Sequence, residues 1–486
     1  MSNTVISTGP LTGVEVTPEY RAGIRMLHDG EPVVLVCGKA GTGKTTFIQY
    51  VQEELSRKNI VVVAPTGVAA LNSCGTTIHS FFRFPPKLLT SEDIARVNLP
   101  IYKAMDLLIV DEVSMVRADM MDAMDLFLRM NRRKPNLPFG GVQVLLVGDL
   151  YQLPPVVKEQ AEKEYLAKKY QTPMFWSAYA LQESGMAVLE LGHIFRQQDE
   201  RFTALLNKIR LAESLDYIVP ALNRATFPTP ERLAPLITLT STNRTADEIN
   251  MEQLSALPTD FISGSFYGQI EGEFNLSRDR LPAPELLELK VGAQVMCVRN
   301  DPEHRWVNGT LGQVIDLNFD ADDPSVTIEI LDKQSAGQIV EVRPVVEVRP
   351  VKWEMYRYEF NTREMKIKRH AIGSYTQIPL MLAWAITIHK SQGKTLERVM
   401  VDLGYGAFAP GQVYVALSRC RSLADLTLQR PLRRNEVMCD PSVTAFFDQL
   451  QERGEGEVPI LQYGSTRAAT LFESDETGDE LRALFA

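Results

Sequence analysis

Closely spaced cysteines are missing from this sequence. Its five cysteines, Cys37, Cys74, Cys297, Cys420 and Cys439, are odd in number and never form a C-x-x-C pair. That excludes a disulfide framework and the usual zinc spacings, and suits thiols kept reduced. Long apolar runs are missing too, so no stretch reaches the roughly 20 residues that a membrane-spanning helix needs. The opening MSNTVISTGPLTGVEV has neither the apolar centre of a secretory signal nor the Arg-rich character of a transit peptide, so a cytoplasmic location without a membrane partner is expected. Positive charge is not in surplus: 51 Lys and Arg against 61 Asp and Glu give a net charge of −10. Gripping nucleic acid by bulk electrostatics is thereby disfavoured, although a locally basic groove is compatible with an acidic remainder. No internal repeat or low-complexity tract is found, which removes solenoids and arrays.

What is present is an ordinary globular make-up, 45% hydrophobic and 23% charged over 486 residues, long enough for more than one domain. Short apolar runs at Val33–Val36, Val61–Val63, Leu107–Val110 and Val142–Val147 read as buried strands. Helical segments such as Thr45–Leu55 and Arg117–Met130 fall between them. That alternation predicts a parallel sheet covered on both faces. A second set of strand candidates follows, at Ala187–Leu191, Leu236–Thr240, Val399–Leu403 and Leu426–Leu428. Two α/β cores are expected, the first over 1–81 and 106–190, the second over 191–259 and 377–440. Between 260 and 376 the sequence alternates polar and apolar residues, as in VTIEIL and MKIKRHAI, which predicts a β-rich, barrel-like insertion. Residues 82–105 interrupt the first core with Pro85-Pro86 and read as a small projection. Residues 441–486 form an extension whose end, LFESDETGDELRALFA, reads as an acidic flexible tail.

Three strand ends of the first core carry chemistry. Gly38-Lys-Ala40-Gly41-Thr42-Gly43-Lys44-Thr45 fits G-x-x-x-x-G-K-[ST] between a strand and a helix, the context a phosphate-binding loop requires. Glycines let backbone N–H groups curl round phosphate, the helix N-terminus adds positive potential, Lys44 reaches the outer phosphates and the Thr45 hydroxyl can ligate Mg²⁺. Leu107–Val110 runs into Asp111-Glu112; Asp111 can hold the metal and Glu112 can polarise an attacking water. Taken alone, two acids at a strand end are often merely solvated. In Gly148-Asp-Leu-Tyr-Gln152-Leu-Pro-Pro155 two prolines stiffen the loop that aims Gln152, whose amide can report on the outermost phosphate; the bland reading is a Pro-capped turn.

Phosphoryl transfer also needs cations on the transition state, often an arginine from a second unit. Arg196 follows a strand in LELGHIFRQQD, and Arg419 lies in GQVYVALSRC. There Val413, Ala416, Leu417 and Cys420 form a 0, 3, 4, 7 stripe that would bury one helix face and leave Arg419 on its flank. A surface salt bridge is the alternative for either arginine.

With these blocks in order, the chain resembles superfamily 1 helicases of the petite integration frequency (Pif) family and their relatives Dda and RecD. The matching segments are GKAGTGKTT, APTGVAALNSCGTTIHSFF, LLIVDEVSM, GDLYQLPP, FRQ, LTSTNRTADEIN, GAQVMCVRN, NGTLGQV, AITIHKSQGKTL and GQVYVALSR, spanning Gly38 to Arg419. The resemblance implies two RecA-like P-loop domains, ATP and Mg²⁺, Thr46 and Gly393 in the nucleotide-binding loops, and 5′-to-3′ movement on single-stranded DNA. It implies forks, RNA–DNA hybrids and G-quadruplexes as substrates, in a bacterial nucleoid or a phage-infected cell. A single strand read without sequence preference is held by phosphate contacts and base stacking. Pro65, Thr66, Gly67, Thr77, His79, Ser80 and Phe81 offer such groups in the first core, and Thr387, His389, Lys390 and Ser391 in the second. For His79 and Phe81 core packing is the competing reading. Phe84, Pro85 and Pro86 are the expected strand-separating wedge. One departure is Val16-Thr-Pro-Glu-Tyr20, where the family has Leu-Thr-x-Glu-Gln; the Gln reads the adenine edge, so Tyr20 puts strict ATP preference in question.

Asn308-Gly309 reads as a hairpin turn with its role toward DNA open. The end Leu481-Arg-Ala-Leu484-Phe485-Ala486 faintly resembles the Leu-Phe peptides that dock on sliding clamps, and a single-strand-binding protein is the other expected partner of the tail; a solvated end is the plainer reading. Two rival functions stay open: a P-loop kinase or nucleotide switch, and a RecD-like motor subunit of a larger DNA-processing complex.

Overall fold

The computed structural model describes residues 5–6, 15–157, 159–195, 199–226, 236–258, 262–274, 276, 281–303, 305–320, 323–331, 334–335, 338–339, 343–453 and 459–463. The chain divides into two compact units, the first Met1–Phe195 with Tyr356–His370 and Asp440–Ala486, the second Arg196–Met355 with Ala371–Cys439.

The first unit is built on an eight-stranded sheet in the order Gln451–Arg453, Ile460–Tyr463, Met186–Leu191, Val33–Gly38, Gln143–Gly148, Leu107–Val110, Ile60–Ala64, Thr76–Thr77. The last six are parallel; the C-terminal pair runs antiparallel. Val33–Gly38 is buried along its whole length, as its unbroken apolar run requires for a strand covered on both faces. The helix Pro18–His28, capped by the Thr17 hydroxyl, and the helix Lys44–Glu54 pack apolar residues on this strand and its neighbours. Two expectations change here. Met186–Leu191 pairs in parallel with Val33–Gly38 and so belongs to the first sheet, in keeping with the 106–190 boundary and not with its grouping among the second set of strands. The C-terminal extension also joins this sheet: Ile460–Tyr463 adds beside Met186–Leu191, and the helix Pro441–Asp448 brings Phe446 against Trp176 and Tyr463. The acidic tail beyond Tyr463 lies outside the described residues.

The second unit holds a four-stranded parallel sheet in the order Ala385–Thr387, Ile237–Thr240, Val399–Asp402, Leu426–Leu428. Its insertion is antiparallel, as the alternating texture predicts, with Val345–Val348, Ser325–Ile330, Leu311–Asn318, Gln294–Cys297 and Leu380–Leu382 forming one sheet over a core that includes Leu289, Val295, Trp306 and Ile328. This sheet is open, and among the described residues the pairings form separate sheets rather than a closed barrel. The strands Val351–Asn361 and Lys366–Gln377 are long, and the tip 356–370 groups with the first unit, where the Val62 N–H donates to the Tyr358 hydroxyl at 3.1 Å.

Candidate nucleotide site and the loops of the second unit

In the first unit the central strands Val33–Gly38, Gln143–Gly148 and Leu107–Val110 are adjacent and parallel. Their C-terminal ends therefore lie side by side, the place where open α/β sheets receive ligands. The first end becomes the phosphate loop. Gly41 and Gly43 take φ of +84° and +79°, left-handed values that cost a side-chain-bearing residue energy. Gly43 then caps the helix Lys44–Glu54, whose first N–H groups have no carbonyl of their own helix to bond. The Lys44 ammonium folds back on the carbonyls of Gly38 and Lys39, 3.0 Å from each. Thr42 is buried and bonds the Lys39 carbonyl at 2.9 Å, Ala40 is buried, Thr46 is half-buried, and Thr45 is exposed at the helix start.

The second end carries Asp111 and Glu112. Asp111 is buried and accepts the Glu112 N–H at 2.9 Å. Burial, and then the neighbouring Glu112 charge, push its carboxyl up to about 7, while Lys44 pulls the other way. Glu112 sits at φ +51°, strain held by the tight turn into Val113–Met115. At the third end, Gln152 donates its amide to Asp149 Oδ2 at 2.9 Å, and Asp149 Oδ1 accepts the Tyr151 N–H at 3.2 Å. Asp149 is fully buried and orients the loop; the sequence reading passed over it, although a carboxylate between Gly148 and the Leu-Tyr-Gln run is a visible signal. Tyr151 stacks on Phe447 of the C-terminal helix, ring centroids 5.5 Å apart, a contact with no local sequence trace.

No group of three or more His, Cys, Asp or Glu side chains poised for a metal occurs among the described residues. Mg²⁺ typically uses one or two protein oxygens and completes its shell with phosphates and water. One buried carboxylate at Asp111 and an exposed Thr45 hydroxyl fit that pattern.

Tyr20 is placed differently from its expected part at the base. It is buried, packs against Phe47 and Tyr50, and its hydroxyl donates to the Gly43 carbonyl at 2.6 Å. It braces the phosphate loop from beneath, and burial raises its phenol pKa. Phe81 and Phe84 are also corrected: both are buried. Phe81 packs on Phe82, Tyr102 and Tyr358, and Phe84 stacks on Phe82 and meets Phe127. Neither presents a free face to a base or a fork. Of the expected wedge, Pro86 is exposed and Pro85 half-buried. Thr66 and Thr77 cap short helices through the N–H groups of Ala69 and Ser80. Pro65 and His79 are half-buried, Gly67 is buried, and Ser80 is exposed.

In the second unit the loop after Ala385–Thr387 divides into two kinds of residue. His389 and Lys390 are exposed. Thr387 is buried and accepts the Lys390 N–H at 3.3 Å, and Ser391 is buried with its hydroxyl on the Ile388 carbonyl at 2.7 Å. Those two hydroxyls shape the loop instead of pointing outward. Gly393 is exposed at φ +78°. Arg419 departs from the flank position expected of it. The helix Gln412–Leu417 is buried on every residue, so it has no open flank, and Arg419 follows it at 1% exposure. Its guanidinium donates to the carbonyls of Val415 at 2.8 Å, Ser391 at 3.2 Å and Lys394 at 3.4 Å, and to the Ser418 hydroxyl at 2.8 Å. Arg196 lies outside the described residues.

A phosphate loop, strand-end carboxylates and a glutamine loop on one parallel sheet, in a chain with a second parallel sheet, define a P-loop protein of the RecA-like class. Residues 23–217 match the PIF1-like helicase family and residues 277–317 the family described as DNA helicase Pif1, 2B domain. The chain belongs to the Pif1 family of helicases. It is 32% identical over 456 residues to the mouse ATP-dependent DNA helicase PIF1, covering 91% of this chain and 64% of the mouse protein. To the ATP-dependent DNA helicase Pif1 of Bdellovibrio bacteriovorus it is 30% identical over 452 residues, covering 91% and 94%. The solved Bacteroides sp. Pif1 in complex with ADP-AlF4 matches at a TM-score of 0.78 with 34% identity over 89% of this chain and 96% of that one. The Bacteroides Pif1 bound to ssDNA matches at 0.61, with the same identity and coverage. Against its mammalian relatives the chain spans 64–65% of their length. Among the described residues no helix is long and apolar enough to cross a membrane.

Proposed function

We propose that this protein hydrolyses ATP with Mg²⁺ to move 5′-to-3′ along single-stranded DNA and separate strands at forks. The observation that carries this reading is the set of three adjacent strand ends holding Lys44, Asp111 with Glu112, and Gln152, in a family whose Bacteroides member has been solved with both a nucleotide complex and single-stranded DNA. Gly38, Ala40, Gly41, Gly43 and Thr46 surround the phosphates through backbone groups, and Lys44 supplies charge to the outer ones. Thr45 and Asp111 would hold Mg²⁺, which when bound would offset the negative charge of the phosphates. Glu112 takes the proton of the attacking water, and Gln152, steadied by Asp149, responds to the outermost phosphate. Arg419 serves the transferred phosphate once it exchanges the Ser391 and Lys394 carbonyls for phosphate oxygens.

His389 and Lys390, exposed in the loop after Ala385–Thr387, contact the DNA backbone; Pro65 to Gly67, Thr77, His79 and Ser80 serve the first unit by phosphate and sugar contacts. Residues 82–105, with Pro86 outermost, split the duplex. G-quadruplexes, RNA–DNA hybrids, and a clamp or single-strand-binding protein at the tail belong to the same proposal. The test is unwinding of forks bearing only a 5′ or only a 3′ single-stranded tail, with Lys44→Ala as control. Unwinding from the 5′ tail alone is expected. Preference for the 3′ tail would overturn the polarity, and DNA-stimulated hydrolysis without unwinding would favour a motor subunit that works only inside a complex.

A further inference from the structure

The connection 298–310, between the antiparallel strands Gln294–Cys297 and Leu311–Asn318, ends in a tight turn fixed from several directions. The Thr310 N–H donates to the Val307 carbonyl at 3.0 Å, and the Val307 N–H to the Thr310 hydroxyl at 3.1 Å. The Asn308 N–H donates to Asn300 Oδ1 at 2.7 Å, and the Gly309 N–H to the Cys297 carbonyl at 2.8 Å. Just before the turn, Trp306 is buried, donates its indole N–H to the Arg299 carbonyl at 3.1 Å and lies under the Arg305 guanidinium. Asn308 therefore stands on a stiff support, and its side-chain carbonyl accepts a hydrogen bond from the Lys394 ammonium. Gly309 closes the same contact. At φ +104° it is a glycine position, and a Cβ there would stand 3.3 Å from the Thr395 carbonyl and 3.4 Å from Lys394 Cβ.

Lys394 is held from its other side as well. Its N–H donates to the Ser391 carbonyl at 3.0 Å, and its own carbonyl accepts from Arg419. The turn of the β-rich insertion and the arginine of the second core thus meet on one residue of the loop that carries His389 and Lys390. The ammonium has a neutral amide as its acceptor, and burial pulls its pKa down to about 8, with Cys297 the nearby group that opposes the shift. A hydrogen bond to a charged group in such a place contributes more than one between neutral groups. A turn so closely matched to a loop, with Gly309 and Thr310 buried against it, has a positional use that hairpin closure alone does not need.

We propose that Asn308 is a positioning residue for the loop His389–Lys394: by holding the Lys394 side chain it fixes the loop in the arrangement that receives single-stranded DNA. Asn308 acts through Lys394 and not by touching nucleotide or DNA. The inference rests on the reading of this loop as a DNA-gripping element. It gives the β-rich insertion a part in the DNA response of the motor.

The test measures hydrolysis against oligo(dT) concentration for the wild type, Asn308→Ala, Asn308→Asp, Lys394→Met and the Asn308→Ala/Lys394→Met double variant. Asn308→Ala is expected to leave the DNA-free rate and the saturated rate within about twofold while raising the half-saturating oligonucleotide concentration by about tenfold or more, as loss of one charge-assisted hydrogen bond implies. Asn308→Asp keeps an acceptor oxygen of the same size and should restore half-saturation. The double variant should be no worse than Lys394→Met, since the two residues act as one unit. Unchanged half-saturation in Asn308→Ala, no rescue by Asn308→Asp, or additive effects in the double variant would each overturn the inference while leaving the motor reading intact. A wild-type rate indifferent to oligo(dT) would overturn the motor reading, and this inference with it.

Discussion

The two units prepare their functional groups in opposite ways. In the first, the phosphate loop is finished by topology: adjacent parallel strands bring three loops together, two left-handed glycines set the curl, and Thr45 stands exposed at a helix start. In the second, His389 and Lys390 stand exposed, but the other groups expected to act are engaged with their own unit. Arg419 spends its donors on Val415, Ser391, Lys394 and Ser418, while the Ser391 and Thr387 hydroxyls are turned inward. A site of the first kind can bind with little rearrangement. One of the second kind must exchange partners before it acts, which is how a binding event becomes a conformational signal.

The largest expected effects break this comparison most openly. Lys44→Ala should lower hydrolysis by about 10²- to 10³-fold, the range for removing one preorganised cation or donor at a transition state, with the thermal midpoint almost unchanged because Lys44 is half-buried and bonds loop carbonyls. Arg419→Ala should lower hydrolysis comparably and also destabilise the second unit, by roughly 3 kcal/mol, since it leaves buried acceptors unsatisfied. Paired activity and unfolding measurements check both; equal unfolding midpoints for the two variants would remove the contrast.

Asp111 gives an effect of intermediate size with a definite sign. Its folded pKa, about 7, lies above the ordinary carboxylate value of about 4. The neutral carboxyl therefore favours the fold fully below about pH 4, and that contribution is lost as pH rises through about 7. Asp111→Asn should raise the unfolding midpoint of the nucleotide-free protein at pH 8 and change it little at pH 4, while impairing hydrolysis. Thermal melts at the two pH values check this, and an equal shift at both would contradict it. Smaller again, Lys390→Ala should weaken oligonucleotide binding by about fivefold and reduce the salt dependence by roughly one counterion, whereas Ser391→Ala should leave the salt dependence alone. Titrations at several salt concentrations distinguish the two. Smallest is the response to the nucleobase: with the Tyr20 hydroxyl committed to Gly43, the other nucleoside triphosphates should be hydrolysed within about tenfold of ATP, less than a hydrogen-bonded base reader imposes. A steep ATP preference in side-by-side rates would show that another group reads the base.

The phosphate loop, the Asp111-Glu112 strand end and the alternation of the insertion were legible because each is local: a fixed spacing or a period fixes the geometry. Phe81 and Phe84 were misread because aromatic character does not reveal which way a short helix turns its rings; here Phe82, Tyr102 and Phe127 draw them into the core. Met186–Leu191 was placed in the second set because a buried strand does not name its partner. The return of Ile460–Tyr463 to that strand, the Phe447–Tyr151 stack and the Asn308–Lys394 bond join residues far apart in sequence, and no periodicity records such pairings. Arg419 was picked by its residue type and position, but its burial depended on the loop 391–394 folding over it.

Nucleotide hydrolysis in the first unit is proposed to answer to bound single-stranded DNA. The most direct measurement is the steady-state rate of ATP hydrolysis by the purified chain with and without a saturating single-stranded oligonucleotide. A rate at least about tenfold higher with the oligonucleotide, abolished in Lys44→Ala, is predicted; equal rates together with no detectable oligonucleotide binding would contradict the account.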